Sequence, residues 1–154
     1  MKKGIKKYFN KKILKYKLLY FAQRDGFEPK YFHQKCDFKN FTVTLVITKE
    51  NKIFGGFTEL EWDHCSGLKK GNKGFIFSIT NNKIYYNKNH YYIDNTIDYG
   101  PSFDDNAFYI SYDYGFDETK RSGISFDVSG KEYVLAGKYE FSIKTYAVYQ
   151  IELE

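Results

Sequence analysis

A mostly β fold, an antiparallel sandwich or barrel with short α-helices at its N-terminal end, is what this sequence predicts, and three observations carry the prediction. Aromatic residues make up 21% of the chain, with 16 Tyr and 15 Phe, and such side chains suit half-buried pleated surfaces better than helices. Short apolar runs recur between Asn, Gly and Asp turns along most of the chain, the punctuation of an all-β domain. Helical spacing is confined to the region before Cys36, after which the period changes.

In chain order, Ile5, Phe9, Ile13, Tyr16 and Tyr20 recur at steps of four, four, three and four with Lys at most positions between them, the spacing of an amphipathic helix. The pattern predicts a basic helical segment over residues 1–16 and a domain over residues 17–154. Leu18-Leu19-Tyr20-Phe21 reads as a short buried strand and Arg24-Asp25-Gly26 as a turn, since Asp and Gly accept turn conformations. Pro29 fits the first turn of a short helix ending at Cys36, where its missing N–H costs little. Thr42–Thr48 is β-branched, Glu50-Asn51-Lys52 supplies a turn and Ile53–Leu60 returns, which makes a hairpin. Further strands are expected over Gly74–Thr80, Lys83–Tyr86, Tyr91–Ile93, Ile97–Tyr99, Phe108–Tyr112, Tyr133–Ala136 and Ser142–Leu153, with Gly67–Gly74 as a mobile connection.

A length of 154 residues suits one domain, which at that size buries about two thirds of its unfolded surface. The first twenty residues hold eight Lys and no acid, so removing them from the net charge of +5 leaves −3 on the rest. Basic character therefore belongs to the N-terminal segment, where Lys2, Lys3, Lys6, Lys7, Lys11, Lys12 and Lys15 could contact an anionic surface. The competing reading docks Ile5, Phe9 and Ile13 on the domain and leaves the lysines in water. Nucleic acid is disfavoured, because the cations sit at one end and Arg, the usual base reader, is almost absent. No apolar h-region follows the basic start, Cys36 and Cys65 are the only cysteines, and no run reaches the roughly 20 apolar residues of a membrane span. Reduced thiols and a cytoplasmic location are the expectation.

His33, Cys36, His64 and Cys65 match in number what a structural zinc needs, but adjacent His64 and Cys65 point apart in an extended chain and the spacing suits no compact zinc module. A Cys–His nucleophile would need His33 or His90 within about 3 Å of Cys65, which no local spacing supplies. Glu59, Glu61 and Asp63 alternate along one strand face, and Asp94, Asp98, Asp104, Asp105, Asp113, Asp117 and Glu118 cluster later; without the order of a calcium loop they read as solvated and turn-forming acids. Gly55-Gly56 and Gly67–Gly74 lead into strands rather than a helix N-terminus, so a phosphate cradle is not expected. No cofactor or metal is expected.

Taken in order, the motifs Leu18-Leu19-Tyr20, Arg24-Asp25-Gly26-Phe27, Phe32-His33-Gln34-Lys35-Cys36-Asp37, Ile53-Phe54-Gly55-Gly56-Phe57, Trp62, Phe75-Ile76-Phe77-Ser78-Ile79, Tyr99-Gly100-Pro101-Ser102-Phe103, Leu135-Ala136-Gly137 and Val148-Tyr149 make the chain resemble the TLDc domain family from about Lys17 to Ile151. That resemblance implies two antiparallel sheets packed as a β-sandwich. It also implies a non-enzymatic role in oxidative-stress protection, or binding to the vacuolar proton-pumping ATPase beside endolysosomal or vacuolar membranes. Gly55, Gly56, Gly100, Pro101 and Gly137 would shape the backbone; Trp62, Phe75, Phe77, Tyr99, Phe103 and Tyr149 complete the motif set. The chain departs from the family pattern at Asp104-Asp105-Asn106-Ala107-Phe108 and at Lys144-Thr145-Tyr146-Ala147. The alternatives are a thiol-based or other enzyme using Cys65 or Cys36, and a peripheral membrane module acting through the basic helix.

Overall fold

The computed structural model describes residues 13–64, 67–86, 91–103, 107–112, 121–125 and 134–154. Along the chain these form β1 (Ile13–Phe21), α1 (Ala22–Asp25), α2 (Pro29–Cys36), β2 (Thr42–Thr48), β3 (Ile53–Thr58), β4 (Leu68–Gly71), β5 (Gly74–Ser78), β6 (Lys83–Tyr85), β7 (Tyr91–Asp94), β8 (Tyr99–Phe103), β9 (Phe108–Tyr112), β10 (Arg121–Ser125) and β11 (Glu140–Leu153). Every strand pairing is antiparallel. One sheet runs β1-β11-β2-β3-β5-β6 and the other β4-β7-β8-β9-β10-β11. They pack as a β-sandwich.

The 14-residue β11 belongs to both sheets. Its first residues pair with β10, Glu140 opposite Ile124 and Ser142 opposite Ser122, while Ala147–Leu153 pair with β1. A register shift between Ile143 and Thr145 on the β2 side marks the passage from one sheet to the other. An extra residue in one strand bends it and raises its twist, which is how a single strand turns a sandwich corner.

Alternation along β3 and β5 sorts the aromatic residues onto two faces. Phe54 points inward, its ring centroid 5.3 Å from both Phe108 and Phe141. Phe57, three residues on, lies on the opposite face with Phe75, Phe77, Val43 and Ile151 in a second buried cluster, stacked on Phe75 at 5.4 Å. Between the sheets Phe103 of β8 stacks on Phe108 at 5.0 Å and covers Gly56, where a Cβ would lie 2.6 Å from its ring. At Gly55 a Cβ would meet the Thr44 carbonyl oxygen at 1.9 Å. The Gly55-Gly56 pair is thus the place where β3 lets a neighbouring backbone and an aromatic ring come closer than any side chain would allow.

Several expectations from sequence are corrected. Residues 13–16, assigned to the amphipathic helix, are strand, and the 16/17 boundary falls inside β1; seven-residue pairing with β11, from Ile13–Leu153 to Phe21–Ala147, overrides the helical spacing. Residues 1–12 of that segment lie outside the described residues. Arg24-Asp25 closes a four-residue helix. β3 stops at Thr58, whose Oγ1 accepts the Leu60 N–H at 2.9 Å and turns the chain, so Glu59, Glu61 and Asp63 do not continue a strand. The supposed mobile connection contains β4, paired with β7. Ile97 and Asp98 are turn, and β8 begins at Tyr99 and runs through Phe103. Residues 134–136 are turn rather than strand, and β10 had no counterpart among the expected strands.

Gly56→Ala should destabilise the fold by about 1–3 kcal/mol through overpacking against Phe103. Urea denaturation of Gly56→Ala with and without Phe103→Leu measures this. Recovery of part of the loss in the double variant is the expected result, and additive losses would show that the ring is not the obstacle.

Candidate functional site

The motif residues are distributed through the scaffold. Trp62 and Phe103 are fully buried and meet edge-on with ring centroids 5.5 Å apart. Phe75 and Phe77 lie in the second cluster, on the outer face of the β3/β5 pair. Tyr99 opens β8 with its ring 5.1 Å from Tyr109, Gly100 and the buried Pro101 follow, and a Cβ at Gly100 would lie 3.3 Å from Ile110 and from the Tyr146 hydroxyl. Gly137 has a φ of 82° in the loop before β11. Tyr149 is half-buried between Leu18 of β1 and Val43 of β2.

The glycine-rich stretch at residues 67–74 serves a tyrosine. Tyr91 of β7 lies across Gly71 and Gly74, where a Cβ at either position would be 2.3 Å from its ring. Its hydroxyl reaches Thr58 Oγ1 at 2.6 Å and accepts the Glu59 N–H at 3.2 Å. Burial, partly offset by these hydrogen bonds, pushes the phenol up to about 12. Glu59 holds the same hairpin from the other side, its carboxylate accepting the Asn72 and Lys73 N–H groups at 3.1 and 2.9 Å. Asp63 is ion-paired with Lys69.

Three polar side chains that sequence scattered meet at the end of α2. His33 and Asp37 lie one helical turn apart, so they share a face of α2 and its C-terminal extension, and His33 Nδ1 is 2.8 Å from Asp37 Oδ1. His64 Nδ1 is 2.8 Å from the other oxygen, Oδ2. The His33 Nε2–H faces the Tyr99 carbonyl at 3.1 Å and donates to it. The carboxylate is almost wholly buried, as is His33, whereas His64 is half-exposed. Asp37 thereby clamps α2, the Trp62–His64 segment and the start of β8 together. Both of its oxygens are occupied, and among the described residues no three His, Cys, Asp or Glu side chains are disposed to hold a metal. His33 and His64 were visible in sequence as a possible zinc or thiol pair; the residue they in fact share, Asp37, was not.

The backbone at this clamp is unusual. Phe38, directly after Asp37, has a φ of 62° and Phe41 a φ of 51°, a left-handed conformation that costs a residue with a Cβ about 1–2 kcal/mol. Phe38 is 65% exposed. Its N–H donates to the Trp62 carbonyl at 2.8 Å, and its ring lies edge-on to His64 with centroids 6.4 Å apart.

Cys36 has no exposed surface. Burial, reinforced by Asp37 and Asp25, pushes its thiol far above the ordinary range, which opposes the thiolate that redox or nucleophilic chemistry requires. Cys65 and His90 lie outside the described residues, as do Lys2, Lys3, Lys6, Lys7, Lys11 and Lys12. Lys15 sits on β1, opposite Glu152, at a groove of about 520 Å³ that Lys17, Phe41, Gln150 and Leu153 also line. No helix among the described residues is long and apolar enough to cross a membrane.

A family model of the TLDc domain matches residues 2–152. The chain belongs to the TLDc domain family. The match spans nearly the whole sequence, the sandwich and its clamp included. Comparison with curated proteins found no match.

Removing the Asp37 carboxylate takes the partner from Nδ1 of the buried His33 and from Nδ1 of the half-exposed His64. Asp37→Ala should therefore lower the unfolding free energy by about 1–3 kcal/mol. His64→Ala, which takes one donor from Asp37 but opens that oxygen to water through a half-exposed site, should cost less than Asp37→Ala. Urea unfolding of both variants checks this, and equal losses would mean that the carboxylate is not the hub.

Proposed function

We propose that this chain is a non-enzymatic TLDc interaction module that acts in oxidative-stress protection, in regulation of the vacuolar proton-pumping ATPase, or in both. Its setting would be the cytoplasm, next to endolysosomal or vacuolar membranes. The observation that carries the reading is the TLDc match across residues 2–152, because what the family resemblance implies is partner binding rather than a reaction. The state of the chemistry-bearing residues agrees with it. Cys36 is sealed in the core, the imidazoles of His33 and His64 are turned onto Asp37, and Gly71 and Gly74 seat a tyrosine. Each of these groups is occupied in holding the scaffold. Lys15 and Lys17 beside the β1/β11 groove support an accompanying contact with an anionic membrane surface, which would add to the binding of a protein partner.

Affinity capture of the tagged, intact chain from resting and peroxide-treated cells tests this function. Recovery of vacuolar ATPase subunits, with capture altered by peroxide, is the expected outcome. Reproducible recovery of unrelated proteins without any pump subunit would refute the pump role.

A further inference from the structure

We infer that Phe38 and the cations beside it form a docking surface for a protein partner that presents an apolar pocket rimmed by carboxylates. This deepens the reading of the chain as an interaction module and rests on it. A single exposed apolar side chain is ordinary on a protein surface. Phe38 differs in being held outward by a backbone conformation, φ 62°, that glycine or asparagine would adopt with less strain. Its ring, 65% exposed, contributes little to the core in return.

The footing of Phe38 is rigid. Its N–H is bonded to the Trp62 carbonyl at 2.8 Å, the Lys39 N–H to the Cys36 carbonyl at 3.1 Å, and the Trp62 N–H to the Lys39 carbonyl at 3.3 Å. The preceding Asp37 is fixed through both carboxylate oxygens by His33 and His64. This network fixes the backbone of Phe38 and with it the direction in which the side chain leaves the chain. Strain retained on a rigid support is characteristic of functional positions, and an aromatic side chain on a backbone already ordered is suited to anchor a protein interface.

Charge selects the partner. Lys35 is exposed and Lys39 half-buried, and neither forms an ion pair with a described residue. His64 spends Nδ1 on Asp37 and leaves Nε2, on its half-exposed ring, without a partner among the described residues. Of the acids on the segments that meet here, Asp37 is engaged by the imidazoles and Asp63 by Lys69, and the exposed Glu61 is outnumbered by Lys35, Lys39 and His64. The rim around Phe38 thus offers donors, and an acidic rim on the partner complements it.

The test places the photocrosslinker p-benzoyl-L-phenylalanine at position 38 of the intact chain in cells of its source organism, with position 79 as the control because Ile79 is also an exposed apolar residue. Adducts are identified by mass spectrometry, and the identified protein is purified and titrated against the wild-type chain, Phe38→Ala and the double variant Lys35→Glu/Lys39→Glu. The expected result is an adduct from position 38 and not from 79, with affinity at least about ten-fold weaker for both variants. No adduct at 38, equal adducts from both positions, or a partner that binds Phe38→Ala as well as wild type would overturn the surface. If affinity capture of the wild-type chain succeeds while position 38 yields no adduct, the surface is wrong and the module reading stands; if capture fails as well, the module reading fails with it. Phe38→Gly should keep or raise the melting temperature, and a fall of more than about 4 °C would make the ring structural and overturn the proposal.

Discussion

Burial of the single tryptophan is the constraint on which the rest of the structure depends. Trp62 has no exposed surface and touches each layer of the molecule. Its ring edge meets Phe32 of α2 at 5.2 Å and Phe103 of β8 at 5.5 Å, and its indole N–H donates to Thr42 Oγ1 of β2 at 2.8 Å. An indole N–H must find an acceptor when buried, and here that acceptor lies in the opposite sheet from Phe103. Helix, first sheet and second sheet are thereby held to one side chain. The aromatic chain continues on both sides, through Phe32 to Tyr20 and Tyr146 and through Phe103 to Phe108 and Phe54. Loss of so large a buried side chain typically costs about 3–5 kcal/mol, a large part of the stability of a single domain.

The surface follows from that anchor. The Trp62 backbone binds Phe38 and Lys39 on its way past the end of α2, which sets Asp37 between His33 and His64 and turns the Phe38 ring outward. Tyr91 does the equivalent at the far hairpin, carrying a hydroxyl from the second sheet to Thr58 in the first. Groups that suggest chemistry in the linear sequence, His33, His64 and the glycine-rich run, are drawn into these two joints. A scaffold organised in this way leaves the recognition proposed above to what projects from it.

What was legible in the sequence was whatever local pattern alone decides. The β2–β3 hairpin, the helix from Pro29 to Cys36 and β9 fall where alternation, turn residues and proline chemistry put them. Only the first half of β1, residues 13–16, was misread, because its residues satisfy two periods at once: Ile13 and Tyr16 fit a helical stripe, while Tyr16 and Leu18 also alternate with Lys15 and Lys17, and only distant β11 decides between them. β4, with two lysines among four residues, lacks an apolar pattern altogether. It is strand because β7 pairs with it and the Tyr91 ring covers Gly71. The Asp37 clamp joins positions 27 and 66 residues apart in its His64 and Tyr99 contacts, and no spacing rule reaches that far. Motif resemblance carried further than periodicity did, since an ordered set of motifs encodes contacts that have no local signature.

Trp62 is the only tryptophan in the chain, so its fluorescence reports directly on the central joint. The decisive measurement is urea unfolding followed in parallel by tryptophan emission, with acrylamide quenching, and by far-ultraviolet circular dichroism. A buried indole that holds the layers together should emit at short wavelength, resist quenching in the native state, and become exposed in the same single transition that abolishes the β signal. A native tryptophan readily quenched by acrylamide, or one that becomes exposed well before the sheets unfold, would contradict the claim.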